Sequence, residues 1–376
     1  MLALLEIGLR FAKSGSATLR ALLYLPGAVS TYEDAHSLED LLGETALGYT
    51  PYRQWKGFVL NSRSFRTREY PVARQPGAYR IVALGDSFTV GAGSYARTWP
   101  ALLEGEIGQR IGRPTEAFAL GVPGVGPRFE LRIWELERDL LLPDLVVLAF
   151  FVGNDFTDDQ TAVPGSSRLA PLLRASYTAR LVRNLARAWR HRATRAAPAP
   201  APAAPPGRGG FEVPTDDLER LTFSRDEHLA IEADRLRICV RDHQPQLVEL
   251  AADIAQVLTR LDGEVRRTGA DLVVMLIPDE YQVNEQLLRD SAAALGVTRS
   301  AIDLDAPQRR LTALLDAAGI RSVDVLPAFR EAARHQSLYY ERNTHWNDAG
   351  NALAARLLAD YVARERLAAS RDASGG

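Results

Sequence analysis

Tyr79-Arg80-Ile81-Val82-Ala83-Leu84 runs straight into Gly85-Asp86-Ser87. A short, β-branched apolar run stopped by a Gly-Asp-Ser turn reads as a buried strand feeding a tight corner. Similar runs recur at Ala117–Leu120, Leu145–Phe151, Asp271–Ile277 and Ser322–Leu326. Between and after them, apolar residues fall at helical spacing over Trp99–Ile111, Phe129–Leu142, Leu247–Arg267, Pro307–Ala318 and Ala352–Arg364. Strands that are apolar throughout, instead of alternating, must be covered on both faces. Alternation of such strands with helices therefore predicts a parallel sheet in a doubly wound α/β core.

The chain has 376 residues, 45 basic against 47 acidic side chains, and 46% hydrophobic residues. That composition excludes global disorder and is long enough for one large domain or two modest ones. A net charge of −2 gives no overall attraction to nucleic acid. Cys239 is the only cysteine, so neither an internal disulfide nor a thiolate metal cluster is expected. No metal-ligand spacing and no phosphate-binding glycine loop is present, and no cofactor is expected.

Outside the core the sequence changes character. Met1–Leu9 and Ala21–Val29 are apolar but too short to span a bilayer, and no cleavage site follows a charged segment. Residues 1–77 read as an N-terminal extension, with an irregular approach to the first strand from residue 31. The core is expected over 78–160 and 246–366, interrupted by an insertion over 161–245, with a flexible tail at 367–376. Within the insertion, Leu169, Leu173, Tyr177, Leu181, Leu185 and Trp189 repeat every four residues, and no acid occurs between Asp159 and Glu212. This basic amphipathic helix could lie on an anionic membrane surface or dock on the core with its arginines solvated; charge runs more often do the latter. Residues 193–210 are Ala, Pro or Gly at 15 of 18 positions and read as a stiff linker.

Four segments are expected just past the carboxyl ends of the strands, where open α/β sheets present their chemistry. Ser87 would expose its hydroxyl there, near a helix N-terminus that stabilises negative charge. In Gly121-Val122-Pro123-Gly124, glycine lets backbone N–H groups approach a ligand. In Gly153-Asn154-Asp155, the asparagine amide can be aimed at an oxyanion. His345, in Asn343-Thr344-His345-Trp346-Asn347, is alone among six histidines in preceding a C-terminal helix at the place of a last catalytic loop. Asp86 and Asp155 are read as holders of loop backbone, and Pro278–Gln282 as a further stretch at the active edge.

Together these segments resemble blocks I, II, III and V of the SGNH hydrolases, the GDSL-type esterase superfamily, with Ser87, Gly124, Asn154 and His345 in the family's order. The resemblance implies a flavodoxin-like three-layer sandwich with five parallel strands. It implies Ser87 as nucleophile, His345 as general base, and the Ser87 and Gly124 N–H groups with the Asn154 amide as the oxyanion hole. One position departs from the family: an aspartate usually stands two or three residues before the histidine, and here stand Asn343 and Arg342. Asn343 can accept a bond from the imidazole but brings no charge. Glu341 and Asp348 are the alternative orienters.

The leading expectation is a serine esterase acting on a small acyl ester, carbohydrate-linked acetyl above all, because His345-Trp346 is similar to SGNH-like proteins that add or remove acetyl on bacterial polysaccharides. Hydrolysis and transfer share one acyl-enzyme and are not separated. A lysophospholipase or thioesterase and a catalytically weakened binding protein are the other readings. Leu4–Arg10 resembles the end of a membrane anchor in SGNH relatives; with an upstream anchor the protein is expected at a bacterial envelope membrane, otherwise in the cytoplasm. Oligomeric state is left open.

Overall fold

The computed structural model describes residues 54–55, 57–70, 74–158, 209–213, 222–365 and 367. Five parallel strands form the central sheet: β3 (Tyr79–Gly85), β4 (Thr115–Gly121), β5 (Leu145–Phe151), β7 (Asp271–Ile277) and β8 (Arg321–Asp324), in the order β4-β3-β5-β7-β8. This is the flavodoxin-like order, and it switches direction between β3 and β5, where a crevice opens beyond the strand ends. A small antiparallel sheet joins β1 (Gln54–Trp55), β2 (Phe58–Val59) and β6 (Phe211–Glu212).

The apolar strands feed two cores, one on each face. Val82, Leu84, Val146, Leu148, Phe150, Val274 and Leu276 point to one side, against α3 (Pro127–Leu141), α6 (Gln244–Arg267) and α8 (Ala306–Ala317). Ile81, Ala83, Val147, Ala149, Phe151, Val273 and Met275 point to the other, against α2 (Trp99–Ile111), α9 (Leu326–Ala333) and α10 (Asp348–Arg364). Trp99, Trp134 and Trp346 are fully buried across these layers. Large side chains of this kind each contribute about 1.5–3 kcal/mol by leaving water.

The expected strands and helices are present, several with their ends moved by a few residues: β4 is longer than Ala117–Leu120, α10 starts at Asp348 before Ala352, and the last strand ends at Asp324, not Leu326. Leu326 already begins α9, because Pro327 suits a first helical turn and the Asp324 carboxylate accepts the Leu326 N–H at 2.9 Å. Besides α9, the short α4 (Asp155–Asp158) and helices α5 (Arg225–Leu236) and α7 (Glu285–Leu295) are not among the expected elements. Residues of the expected insertion thus pack beside α7 and the turn after β7, with Leu236 and Cys239 against Tyr281, Leu288 and Ile302. The amphipathic helix over 169–189, the first thirty residues, most of the linker and the tail beyond Leu367 lie outside the described residues. Among the described residues no helix is long and apolar enough to cross a membrane.

Residues 57–70 carry almost no regular structure yet are largely buried. Phe65 and Tyr70 enter one core. The buried Arg66 donates to the carbonyls of Val90 and Gly93, each at 2.9 Å, just past the Ser87 turn.

Candidate active site

Ser87 opens α1 (Ser87–Val90), directly after β3. Asp86 caps this turn, its carboxylate accepting the Phe88 N–H at 2.9 Å. Gly85 makes the corner possible: its φ is +150°, and a Cβ there would stand 2.2 Å from Thr89 Oγ1. β3 and β4 end in register, Gly85 beside Gly121, and β5, whose Ala149 pairs with Gly85, runs two residues further, so the loops after β3, β4 and β5 leave from one rim.

His345 reaches that rim from a loop under strain. Arg342 and Thr344 both have left-handed backbone, φ +50° and +65°, uncommon for any non-glycine and costly for a β-branched threonine. Between them Asn343 is buried and offers two acceptors to His345 Nδ1, its carbonyl at 2.9 Å and its Oδ1 at 3.0 Å. A backbone carbonyl only accepts, so Nδ1 carries the proton and Nε2 of the neutral ring is left with its lone pair. Nε2 lies 2.8 Å from Ser87 Oγ and accepts its hydroxyl proton. The imidazole is backed by the Phe88 ring at 5.1 Å, and next to it Trp346 is wedged against Phe88 and Phe329. Asn347 then caps α10, its Oδ1 accepting the Ala349 and Gly350 N–H groups.

The structure therefore brings Ser87, His345 and Asn343 into one hydrogen-bonded line. Neither alternative orienter does that work: Asp348 bonds to Tyr340 and Arg97, and Glu341 lies 3.6 Å from Arg342. Gly124 sits in the turn after β4 with φ +69°, in a loop tied to β3 by the Val122 N–H on the Gly85 carbonyl at 3.0 Å. Asn154 stands in the turn after β5, facing β3 across the switch point. Asp155 holds that turn, accepting the Phe151 N–H at 2.7 Å.

Beneath the rim lies a buried charged group that the sequence reading missed. Burial pushes the Asp86 carboxyl up to about 6, against bonds from Phe88 and the Asn154 side chain and the charge of Arg235. Arg235, on α5, stacks 5.0 Å over the Phe151 ring and lies 3.5 Å from Glu232 and 4.0 Å from Asp279. Burial works against its cation, but the charges of Asp279, Glu232, Tyr281 and Asp86 outweigh it and raise its pKa. Burial also raises Glu232, well above the glutamate range, and Asp279. Of the stretch Pro278–Gln282, Glu280 and Gln282 line a cavity of about 850 Å³, whereas Asp279 is turned inward. One signal for α5 was present: Ser224 and Glu227 form a capping box. Nothing in the sequence marked Arg235 among so many arginines.

Residues 240–374 match the family model described as the SGNH hydrolase-like domain, acetyltransferase AlgX. That match takes in β7, β8 and the loop that carries His345. Among solved structures the chain is similar to the acetyl xylan esterase AlAXEase, at 12% identity and a TM-score of 0.38, covering 75% of this chain and 99% of that one. It is also similar to a catalytic mutant of an acetylxylan esterase from Geobacillus stearothermophilus, at 14% identity and a TM-score of 0.38, covering 74% and 92%. A third is the psychrotrophic esterase EstA from Pseudoalteromonas sp., at 11% identity and a TM-score of 0.39, covering 77% and 99%. No curated protein matches the chain.

Proposed function

We propose that the protein is a serine esterase or acyltransferase that carries a small acyl group, acetyl from or to a carbohydrate, on Ser87. The observation that carries this reading is the line Ser87 Oγ, His345 Nε2, Nδ1, Asn343, with contacts of 2.8 and 3.0 Å and the tautomer a general base needs. Ser87 Oγ attacks the ester carbonyl as its proton passes to Nε2. The oxyanion is received by the Ser87 and Gly124 N–H groups and the Asn154 amide. Collapse of the intermediate breaks the ester C–O bond, and His345 returns the proton to the departing alcohol. Water or a sugar hydroxyl, deprotonated by the same nitrogen, then takes the acyl group. The match to an acetyltransferase domain supports acetyl as the group and leaves transfer beside hydrolysis. The likeness of Leu4–Arg10 to the segment in which a membrane anchor ends supports action at a bacterial envelope membrane, which cell fractionation tests.

A fluorophosphonate probe should label the wild-type protein and fail to label Ser87→Ala. Absence of Ser87-dependent labelling, with both proteins folded, would leave a silent binding protein. Turnover of acetyl esters should exceed that of long-chain esters; the reverse order would make the protein a lipid hydrolase.

A further inference from the structure

We propose that Arg235, carried on α5 outside the four motif segments, is a positioning residue that sets the Asn154 amide through the buried Asp86. This deepens the function proposed above and rests on it.

Geometry places Arg235 beneath the turn that carries Asn154. Its guanidinium covers Phe151, the last residue of β5, three positions before Asn154. The neighbouring Asp279 carboxylate is pressed against the same turn: a Cβ on Gly153 would lie 2.2 Å from Asp279 Oδ2 and 2.4 Å from the Phe151 ring. A cavity of about 380 Å³ is lined by Gly153, Asn154 and Arg235 together. The helix bearing Arg235 is held at both ends, by the Ser224 capping box and by Tyr281 Oη donating to the Arg235 carbonyl at 3.4 Å. Just before it, the Phe223 N–H donates to the Arg342 carbonyl at 2.9 Å, tying this segment to the strained loop of His345.

Asp86 is the link. Its carboxylate takes the Phe88 N–H and the Asn154 side-chain amide. An ionised carboxylate accepts only, so it fixes the Asn154 NH2 toward itself and leaves the second N–H of that group directed outward. A neutral carboxyl has a proton to give; donating it to Asn154 Oδ1 would turn the amide over and withdraw the NH2. Asp86 is fully buried, which favours the neutral form. The acids of this cluster lie around Arg235, Glu232 at 3.5 Å and Asp279 at 4.0 Å, with His228 lying 3.7 Å from Glu232 and 3.6 Å from Glu280. Arg235 is the cation whose charge holds Asp86 down. Remove it, and Asp86 stays protonated to higher pH while the amide loses its anchor.

The test uses the full chain and p-nitrophenyl acetate. Arg235→Met should lower kcat about 100-fold, the loss of one oxyanion donor, with KM within threefold. It should also move the acid limb of kcat to higher pH; Arg235→Lys, which keeps the charge, should restore most of both. Asp86→Asn should lower kcat comparably, and adding it to Arg235→Met should cost nothing more, because both act on one hydrogen bond. Multiplying losses, or an unmoved acid limb, would overturn the proposal. A readout independent of turnover is the Asn154 side-chain amide in NMR. Its resonances should titrate with Asp86 in the wild type and shift that midpoint upward in Arg235→Met, or in Arg235→Gln if the methionine variant does not fold. If the wild type shows no Ser87-dependent turnover, the hydrolase reading fails. The coupling of Arg235 to Asn154 then stands or falls on this titration.

Discussion

Substituting Asn343 by alanine removes one of the two acceptors on His345 Nδ1 and leaves the other, the backbone carbonyl at 2.9 Å. The tautomer survives and the ring is held less firmly, so kcat should fall only about tenfold, the worth of one hydrogen bond near the top of the usual range. Asn343→Asp should act in the opposite sense, since a carboxylate 3.0 Å from the ring favours the imidazolium; the acid limb of kcat/KM should move upward, measurable by pH–rate profiles of both variants. An unchanged profile for the aspartate variant would show that position 343 does not address the ring. Ser87, Asn343 and His345 were legible in the sequence because their chemistry requires particular residue types beside turn-forming neighbours. Arg235 was not, because a lone arginine acquires meaning only from what folds around it.

The start of α10 shows how an element transmits position to the site. Gly350 lies against the Leu338 carbonyl, and a Cβ there would stand 2.3 Å from that oxygen and 3.0 Å from Trp346. Backbone cannot yield as a flexible side chain can. Gly350→Ala should therefore destabilise the fold by about 1–3 kcal/mol, lowering Tm by several degrees in thermal melts, and should reduce kcat because Trp346 precedes the cap of α10. A wild-type Tm would mean that the segment carrying Leu338 moves freely. Strands β5 and β7 and helix α2 were legible to the residue, since apolar runs bounded by breakers leave little choice. Helix α5 was hidden: its buried residues include His228 and Glu232, so the stripe it turns inward is not apolar. The strand at residue 322 was read too long, because Val325 and Leu326 are apolar but Pro327 turns the chain into a helix.

At the scale of the molecule, the layers followed from the sequence because both faces of every central strand had to be buried. Charges buried beneath the rim did not, and they set an opposition between folding and catalysis. Asp86 has a folded pKa of about 6, above its ordinary 3.8. The folded state therefore binds more protons than the unfolded one between those values, and stability from this group is present below 3.8 and lost as pH rises through 6. Glu232 and Asp279 are raised in the same direction. Melting followed across pH 4–8 should show the wild type losing stability, relative to Asp86→Asn, as pH rises from about 4 to about 6. Equal slopes would remove Asp86 from the balance. The segment holding Arg66 has a practical corollary. A shortened gene beginning at Ala78 would keep every recognisable motif, yet its product would lack the guanidinium that grips the Val90 and Gly93 carbonyls and two aromatic rings from one core. Such a product should resist purification as a monomer and, where recovered, turn over acetyl esters poorly, because motifs drawn from local spelling omit the brace that arrives from elsewhere in the polypeptide.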